Sequence, residues 1–321
     1  MNLDRIDLNL LRVFDMVFEE RNLLRAAKRL HLSQSAVSHA LARLRNSVDD
    51  ELFVRTAGGM QPTPRAMAIA GPVRSALRQI GGALGGQPFS PATTDREFVI
   101  AANDAVTLLL AGSLSTDLQQ HAPLSRLVIR PSTRIDLAGQ IDLGRIDVAI
   151  GVFAEIPARF RALPLWTEVD SLAMRRGHPL CEAVPSRQDL LDYPLLAVSL
   201  GGAEEGAVDG CIMERGLARQ SEMFDHQSLR EALAPGVPRL RMLVAHALAV
   251  PGLLAGGDML AVLPSSLARL FARGHGLHAA PLPYSSRPVE VRAVWHERSD
   301  QDPAHAWLRE RIQALGRAFA I

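Results

Sequence analysis

Five polar residues lie on one face of a helix that Ser33 is predicted to cap and that runs to about Asn46. They are Gln34, Ser35, Ser38, His39 and Arg43. At the start of a helix, glutamine and arginine can pair with adenine and guanine in the major groove of DNA. The free N–H groups there, together with Ser33, can bind a phosphate. An ordinary solvated helix face is the alternative for these residues taken alone.

A short hairpin is predicted after this helix. Residues 51–56 and 60–61 are extended pieces on either side of Gly58-Gly59, which is a turn sequence. The second piece brings the chain back alongside the first, as in a β-wing. Arg55 on the first piece is placed to reach the backbone or the minor groove of a duplex.

Two earlier helices must position these side chains. Asp7 and Asn22 are predicted to cap them, and His31-Leu32 interrupts the apolar pattern before Ser33. Histidine tolerates the left-handed backbone that such a tight turn requires. Helix, turn and helix in this order predict a helix-turn-helix.

A longer helix with a repeating apolar face follows the hairpin. Thr63 and Pro64 suit its start, and Gly71-Pro72 predicts a kink or restart near its middle. Its apolar positions recur at alternating spacings of four and three: Ala66, Ala70, Val73, Leu77, Ile80 and Leu84. This spacing is typical of a coiled-coil seam. We favour pairing with a second copy of the chain over packing on the helix's own domain.

The composition bounds the class of protein. A chain of 321 residues that is 48% hydrophobic can form two or three domains with full cores, which excludes disordered and low-complexity classes. Two cysteines, Cys181 and Cys211, cannot frame a disulfide scaffold or a cysteine zinc site. We see no export signal, and residues 242–257 are too short and broken to span a bilayer. We therefore expect a cytoplasmic protein.

The charge is unevenly distributed. Residues 1–86 contain 12 Lys and Arg against 8 Asp and Glu, whereas residues 87–321 contain 23 against 26. A basic head on a mildly acidic body indicates a polyanionic partner, such as nucleic acid, at one end only. Counts this small also arise by scatter.

Residues 96–321 alternate short apolar runs with helical patterns, which is typical of βαβ units on a parallel sheet. They carry no nucleophile elbow, His-Glu-x-x-His, Cys-x-x-Cys or Walker phosphate loop, and the ten histidines do not cluster at metal-ligand spacing. We therefore expect no enzyme activity, cofactor or metal. A small-molecule binding module without DNA-dependent function is the alternative, but it leaves the basic head unexplained.

Several motifs together resemble the LysR-type transcriptional regulators. In the head these are residues 26–38, 52–55 and 62–64. In the body, residues 144–151 and 261–264 look like the family's helix-to-strand and strand-to-helix signatures. The head motif is specific, the body motifs are weaker alone, and the resemblance covers essentially the whole chain.

The resemblance implies an α/β architecture in three parts. These are a winged helix-turn-helix in residues 1–62, a linker helix and hinge in 63–90, and a two-lobed effector domain like a periplasmic binding protein in 91–321. Lobe I would comprise about 91–165 and 266–321, and lobe II about 166–265. The implied partners are double-stranded DNA, a small-molecule effector and further copies of the chain in a homodimer or homotetramer. RNA polymerase is a further candidate partner.

The family's DNA contacts carry over by position. They fall on Ser33, Gln34, Ser35, Ser38, His39, Arg43 and Arg55. Many relatives have arginine where His39 stands, and neutral histidine is a weaker partner for phosphate or guanine. The base preference at that position is therefore open.

The cleft between the implied lobes, at the carboxyl ends of strands, is where we expect an effector. We predict strands at 97–102, 126–131 and 147–152, with helices at 104–120 and 135–143. The candidate effector residues are Asn103, Asp104, Ala105, Thr107, Ser132, Thr133, Arg134, Gly151, Phe153, Gly201 (with Gly202) and His246. Arg134 could form a bidentate pair with an acid, and Phe153 could stack on a ring. A helix cap or a surface charge is the alternative for each polar residue.

The branch that this chain most resembles senses aromatic acids, so the implied effector is an aromatic carboxylate. Relatives commonly carry Ser or Thr where Ala105 stands, so one hydroxyl donor to a carboxylate is missing here. Residues 221–238 look like an insertion, either a lid over the cleft or a surface loop, and we slightly favour the loop.

Overall fold

A computed structural model describes residues 7–56, 59–83, 89–201, 206–208 and 210–319. The chain divides into two compact units, Met1–Pro88 and Phe89–Ile321. Each unit has its own apolar core, and each is described separately. Gly58 of the predicted turn, Leu84 of the predicted seam, most of the predicted hinge and Gly202 lie outside the described residues.

The first unit consists of three helices, a hairpin and a long helix. In chain order these are α1 (Leu8–Glu20), α2 (Leu23–Leu30), α3 (Gln34–Val48), strands β1 (Phe53–Thr56) and β2 (Gly59–Pro62), and α4 (Pro64–Ala83). β1 and β2 pair antiparallel, with Arg55 opposite Met60. The helix-turn-helix and the wing are therefore both present.

Side-chain caps fix where the first three helices begin, as predicted. Asp7, Asn22 and Ser33 each accept hydrogen bonds from backbone N–H groups of the first turn that follows. His31 has the left-handed backbone predicted for the turn, with φ of 55°. Because such caps satisfy N–H groups that have no partner within the helix, they set the helix boundaries locally.

The first half of α4 packs on its own domain rather than presenting a seam. Ala66 and Ala70 are buried in the same core as Phe14 of α1. Arg74 donates a hydrogen bond from Nε to Asp15 Oδ1 of α1 (2.9 Å). The apolar spacing identified the buried face correctly, but for these two positions the partner is α1, so the favoured prediction of a seam with a second copy is wrong there. α4 also continues through Pro72 without restarting.

The second unit has two lobes, each built on a sheet. The strands of lobe I are β3 (Glu97–Ala102), β4 (Arg126–Pro131), β5 (Val148–Glu155), β6 (Phe160–Glu168), β9 (Cys211–Glu214), β10 (Leu217–Gln220) and β14 (Val289–His296). The strands of lobe II are β7 (Asp170–Arg175), β8 (Leu195–Val198), β11 (Leu240–Val244), β12 (Leu260–Pro264) and β13 (Leu277–Ala280). The helices in chain order are α5 (Asp104–His121), α6 (Leu137–Asp142), α7 (Asp189–Asp192), α8 (His226–Leu233), α9 (Val250–Ala255), α10 (Ser265–Gly274) and α11 (Pro303–Gly316).

The two sheets mix parallel and antiparallel pairs. In lobe I, β3 lies parallel to β4 and β5, while β10 and β14 run antiparallel to β5. In lobe II, β8 lies parallel to β11 and β12, while β7 runs antiparallel to β12 and β13. The strands and helices predicted between 97 and 152 are confirmed. Their observed ends lie within two residues of the predicted ones, except that β5 continues to Glu155.

The chain passes between the lobes four times among the described elements, where the sequence predicts two crossings. The crossings follow β6, β8, β10 and β13, because the β9–β10 hairpin joins the sheet of lobe I through β5. The predicted return to lobe I near residue 266 is also too early, since α10 and β13 pack in lobe II. The hydrophobic pattern of a strand shows which face is buried but not which sheet it joins.

Residues 221–238 form part of lobe II and are neither a lid nor a surface loop. They contain α8, and Phe224, Leu229 and Leu233 are buried in the core of that lobe. The glycine and prolines at 235–238 lie beyond the end of α8. Among the described residues, no helix is both long and apolar enough to cross a membrane.

Candidate functional site

The outward face of α3 presents the polar residues predicted for DNA contact. Gln34, Ser35, Ser38, His39 and Arg43 are all exposed. The opposite face is buried through Val37, Leu41 and Leu44. Ser33 Oγ accepts a hydrogen bond from Ala36 N (3.1 Å) and lies 2.9 Å from Ser35 Oγ. Ser33 therefore caps α3, and its hydroxyl position is fixed at the start of the exposed face.

Arg29 and Arg43 of the first unit differ in how closely acids of the same domain bind them. Arg29 donates to Glu19 (2.7 Å) and Glu20 (2.8 Å), and these hydrogen bonds raise the pKa of Arg29 and lower that of Glu19. Among the described residues, the one carboxylate recorded near Arg43 is that of Asp7, with Oδ2 at 3.8 Å, and the Arg43 side chain is largely exposed. An exposed pair at that distance is weak, so Arg43 can exchange Asp7 for a phosphate.

The wing is held to the helices by backbone contacts. Met60 N donates to Arg21 O (2.9 Å), and a Cβ at Gly59, whose φ is +112°, would lie 2.6 Å from that same oxygen. Arg45 of α3 donates from Nη2 to Phe53 O (2.9 Å). The motif-based reasoning did not single out this positioning arginine. Arg55 is exposed on β1.

A cleft of about 890 Å³, open to solvent, lies between the two lobes of the second unit. Six of the predicted effector residues line it: Asn103, Ala105, Ser132, Thr133, Gly151 and Phe153. Asn103 and Ala105 follow β3, Ser132 and Thr133 follow β4, and Gly151 and Phe153 lie within β5. β3 lies parallel to both β4 and β5, so these residues meet at one edge of the sheet. Asn103 Oδ1 accepts from Val106 N (2.9 Å), so this side chain also caps α5.

The other five predicted effector residues are not part of the cleft lining: Asp104, Thr107, Arg134, Gly201 and His246. Thr107 Oγ1 donates to Asn103 O within α5 (2.8 Å). Asp104 Oδ2 accepts from Leu248 N (3.3 Å) and lies 4.0 Å from His246 Nδ1. Arg134 is exposed, with φ of 59°. Successive residues at a strand end point in different directions, so proximity in sequence did not fix which side chains face the cleft.

Several lining residues were not predicted, and two of them, Arg219 and Phe224, lie on segments next to the unpredicted crossings. Arg219 of β10 is buried, at 6% exposure, beside Phe153 in the sheet of lobe I. Trp166 and Phe224 add aromatic surface. Arg219 Nη2 lies 3.3 Å from Glu214 Oε1. No local signal in the sequence marks Arg219, because its place depends on which sheet the hairpin joins.

Four carboxylates form what we term the acidic side of the cleft: Glu168, Asp170, Glu222 and Asp225. Glu168 accepts hydrogen bonds from Trp166 Nε1 (2.8 Å) and from Ser266. Asp170 Oδ2 accepts from Asp225 N (2.8 Å). Burial, with the nearby charges of Asp225 and Glu168, raises the pKa of Asp170 to about 6. Burial also raises the pKa of Glu222.

The second cation of the cleft, Arg287, is shared between two acids. Its Nε lies 3.9 Å from Asp225 Oδ2 and its Nη2 lies 3.7 Å from Glu231 Oε1. Among the described residues, no group of three or more His, Cys, Asp or Glu side chains could hold a metal ion. The chemistry this arrangement offers is the binding of a small molecule with an apolar ring and a few polar groups.

Family models match nearly the whole chain. Residues 8–67 match the bacterial regulatory helix-turn-helix protein of the lysR family, and residues 92–317 match the LysR substrate binding domain. The chain belongs to the LysR family of transcriptional regulators. LysR regulators are not enzymes. They bind DNA through the helix-turn-helix, bind small-molecule effectors in the second domain and form oligomers.

Two relatives and one solved structure are similar to this LysR regulator over nearly its whole length. The HTH-type transcriptional regulator LinR of Sphingobium indicum is 29% identical, with 98% of each chain covered. The HTH-type transcriptional activator NagR of a Ralstonia species is 30% identical, with 98% of this chain and 99% of NagR covered. The crystal structure of a probable transcriptional regulator from Pseudomonas aeruginosa is 32% identical, covers 97% of this chain and 98% of its own, and gives a TM-score of 0.69. The winged helix-turn-helix and two-lobed architecture are thus those of the family.

Proposed function

We propose that this LysR regulator responds to an aromatic carboxylate bound in the interlobe cleft. The observation that carries this proposal is the composition of the cleft wall. Phe153, Trp166 and Phe224 provide aromatic surface, and a buried arginine, Arg219, lies beside Phe153. Effector pockets of this kind combine an apolar wall with a few polar groups that fix orientation.

The carboxylate is assigned to the lobe I end of the cleft. Ser132 and Thr133 follow β4 there and supply hydroxyl donors, and Arg219 supplies the positive charge. Arg219 thus takes the role that the sequence suggested for Arg134, which is not part of the lining. A guanidinium that is already buried is well suited to this role, because most of its desolvation occurs on folding.

The DNA contacts are assigned to the exposed face of α3 and to the wing. Gln34, Ser35, Ser38 and His39 would face base edges, while Ser33, Arg43 and Arg55 would contact phosphates or the minor groove. Their exposure and the N-terminal location of most of them on α3 support this assignment.

The assembly and location of the protein follow from the same function. We propose a homodimer or homotetramer in the cytoplasm, where promoter DNA and RNA polymerase are accessible. The second half of α4 supports the oligomer, because Ile80 remains exposed there although it continues the apolar spacing. Effector binding would change how paired heads are spaced on DNA, which requires a preference for one arrangement of the lobes.

Thermal unfolding of the full-length protein with aromatic monocarboxylic acids tests the effector class. An acid present at 100 times its dissociation constant is expected to stabilise the protein by about 2.7 kcal/mol. Thr133→Val removes a hydroxyl inside the cleft and should weaken the response. Thr107→Val removes a hydroxyl outside the cleft, and should leave the effector affinity unchanged. An absence of stabilisation by any aromatic acid would reject the carboxylate assignment while leaving the DNA-binding function intact.

A further inference from the structure

We infer that the cleft selects effectors that carry a single negative charge, because its acidic side repels a second one. This inference rests on the proposed function, in which the effector is an aromatic carboxylate. It assigns a specificity-determining role to Asp170 and Glu222, two lining residues that the proposed carboxylate site does not use.

The carboxylates of the acidic side are poorly neutralised. Within the described part of the chain, an ion pair is recorded for Asp225 but not for Glu168, Asp170 or Glu222. Glu168 is buried at 4% exposure and is stabilised by hydrogen bonds from Trp166 and Ser266 instead. Such bonds hold a carboxylate in place but leave its charge in the cleft.

Each of the two arginines that line the cleft in the described part of the chain has a carboxylate nearby. Arg219 lies 3.3 Å from Glu214, and Arg287 is divided between Asp225 and Glu231. The proposed function places one carboxylate on the lobe I side of the cleft, which Arg219, Ser132 and Thr133 line. A second carboxylate on the same ring would extend towards Asp170 and Glu222, for which no ion pair is found among the described residues.

The low polarity of this side strengthens the repulsion. Asp170 and Glu222 are both partly buried, and this burial raises the pKa of each. Two like charges a few ångströms apart in such surroundings disfavour binding by roughly tenfold or more. This repulsion of a second charge, which we term the filter, therefore acts when Asp170 and Glu222 are ionised, at slightly alkaline pH.

Pairs of ligands that differ in charge but not in size measure this repulsion. Each of the three benzenedicarboxylates is compared, by calorimetry on the full-length protein at about pH 8, with the carbamoylbenzoate in which one carboxylate is an amide. The amide is expected to bind roughly tenfold more tightly than the dicarboxylate for the isomer that fits best. Equal affinities for each pair would overturn the inference. Failure of all aromatic monoacids, benzoate included, would instead overturn the proposed function on which it rests.

Charge-neutralising variants supply a readout that does not depend on ligand size. Asp170→Asn and Glu222→Gln preserve shape, and each should reduce the difference in affinity between a dicarboxylate and its carbamoylbenzoate by several-fold. Glu182→Gln removes the same charge from an exposed site on lobe II that does not line the cleft, and should leave both affinities unchanged. If the cleft variants keep the wild-type difference in affinity between each dicarboxylate and its carbamoylbenzoate, Asp170 and Glu222 do not exclude a second charge.

Discussion

Asp104 of lobe I accepts a hydrogen bond from the backbone N–H of Leu248 in lobe II, with Oδ2 and N separated by 3.3 Å. The neighbouring Ala105 and, one turn later, Leu108 pack against the core of lobe II, while Val106 and Leu110 of the same helix pack in the core of lobe I. The first turn of α5 therefore contacts both lobes. This residue was predicted to bind effector, and its place in the structure is a tie between the lobes beside the cleft.

Removing that tie should loosen the contact between the lobes. Asp104→Ala deletes the acceptor for Leu248 N, and a hydrogen bond of this kind contributes about 1 kcal/mol. Hydrogen exchange of the Leu248 amide is therefore expected to accelerate by about fivefold. Asp104→Asn retains an acceptor oxygen and should preserve most of the protection. An Ala variant with unaltered exchange would show that this bond is not formed in solution.

Asp170 should make the second unit less stable as the pH rises. Its folded pKa of about 6 lies above the usual value of 3.8, so the folded state binds the proton more tightly. The stability contribution is therefore present below about pH 4 and is lost as the pH rises through 6. At about 1.4 kcal/mol for each pKa unit, the loss is at most about 3 kcal/mol.

Urea unfolding followed by tryptophan fluorescence measures this effect, because all three tryptophans lie in the second unit. The advantage of Asp170→Asn over the wild type should grow between pH 4 and pH 6 and then level off. Glu182→Gln should show no such growth. A constant difference between Asp170→Asn and the wild type across this range would contradict the raised pKa.

Arg55 should contribute a phosphate contact that is independent of DNA sequence. Arg55→Ala is expected to weaken binding to every duplex and to lower the slope of log affinity against log salt by about one. Arg269→Ala removes the same charge from an exposed site in the second unit and should not change the slope. An unchanged slope for Arg55→Ala would rule out a phosphate contact through the wing.

Gln34 should contribute to sequence discrimination. A duplex selected by the wild-type protein from a random pool is compared with a random duplex. Gln34→Ala should lose about 1–3 kcal/mol of the difference in binding free energy between them. Asn46→Ala, at the other end of α3, should retain that difference. Equal losses on both duplexes would exclude base readout by Gln34.

Local chemistry allowed the helical head to be predicted closely. Asp7, Asn22 and Ser33 begin helices because a side-chain oxygen satisfies N–H groups within three residues, a relationship confined to one turn. The long helix shows the limit of such reasoning. Its apolar spacing identified the face that carries Ala66 and Ala70, but a spacing contains no information about whether the partner is α1 or a second chain.

Lining residues of the cleft were predicted correctly only where they lie in or directly after a strand that the sequence predicts. Asn103, Ser132 and Phe153 line it because β3 and β4 end side by side, and β5 runs parallel to β3 and continues past its end. Arg219 depends on long-range pairing of β10 with β5, and Arg134 was preferred because it was closer in sequence to a strand end. The charge of the cleft was therefore hidden, since it arises from segments distant in the chain.

The four crossings constrain how regulators of this architecture can diversify. Lobe II cannot be exchanged between regulators as one continuous segment. An exchange would need four compatible junctions, and the β9–β10 hairpin would still have to pair with β5 of lobe I. Several crossing segments also supply cleft residues, Asp170 and Glu222 among them. A new ligand preference is therefore more accessible through point changes in these segments than through recombination, and each such change acts on recognition and on lobe movement together.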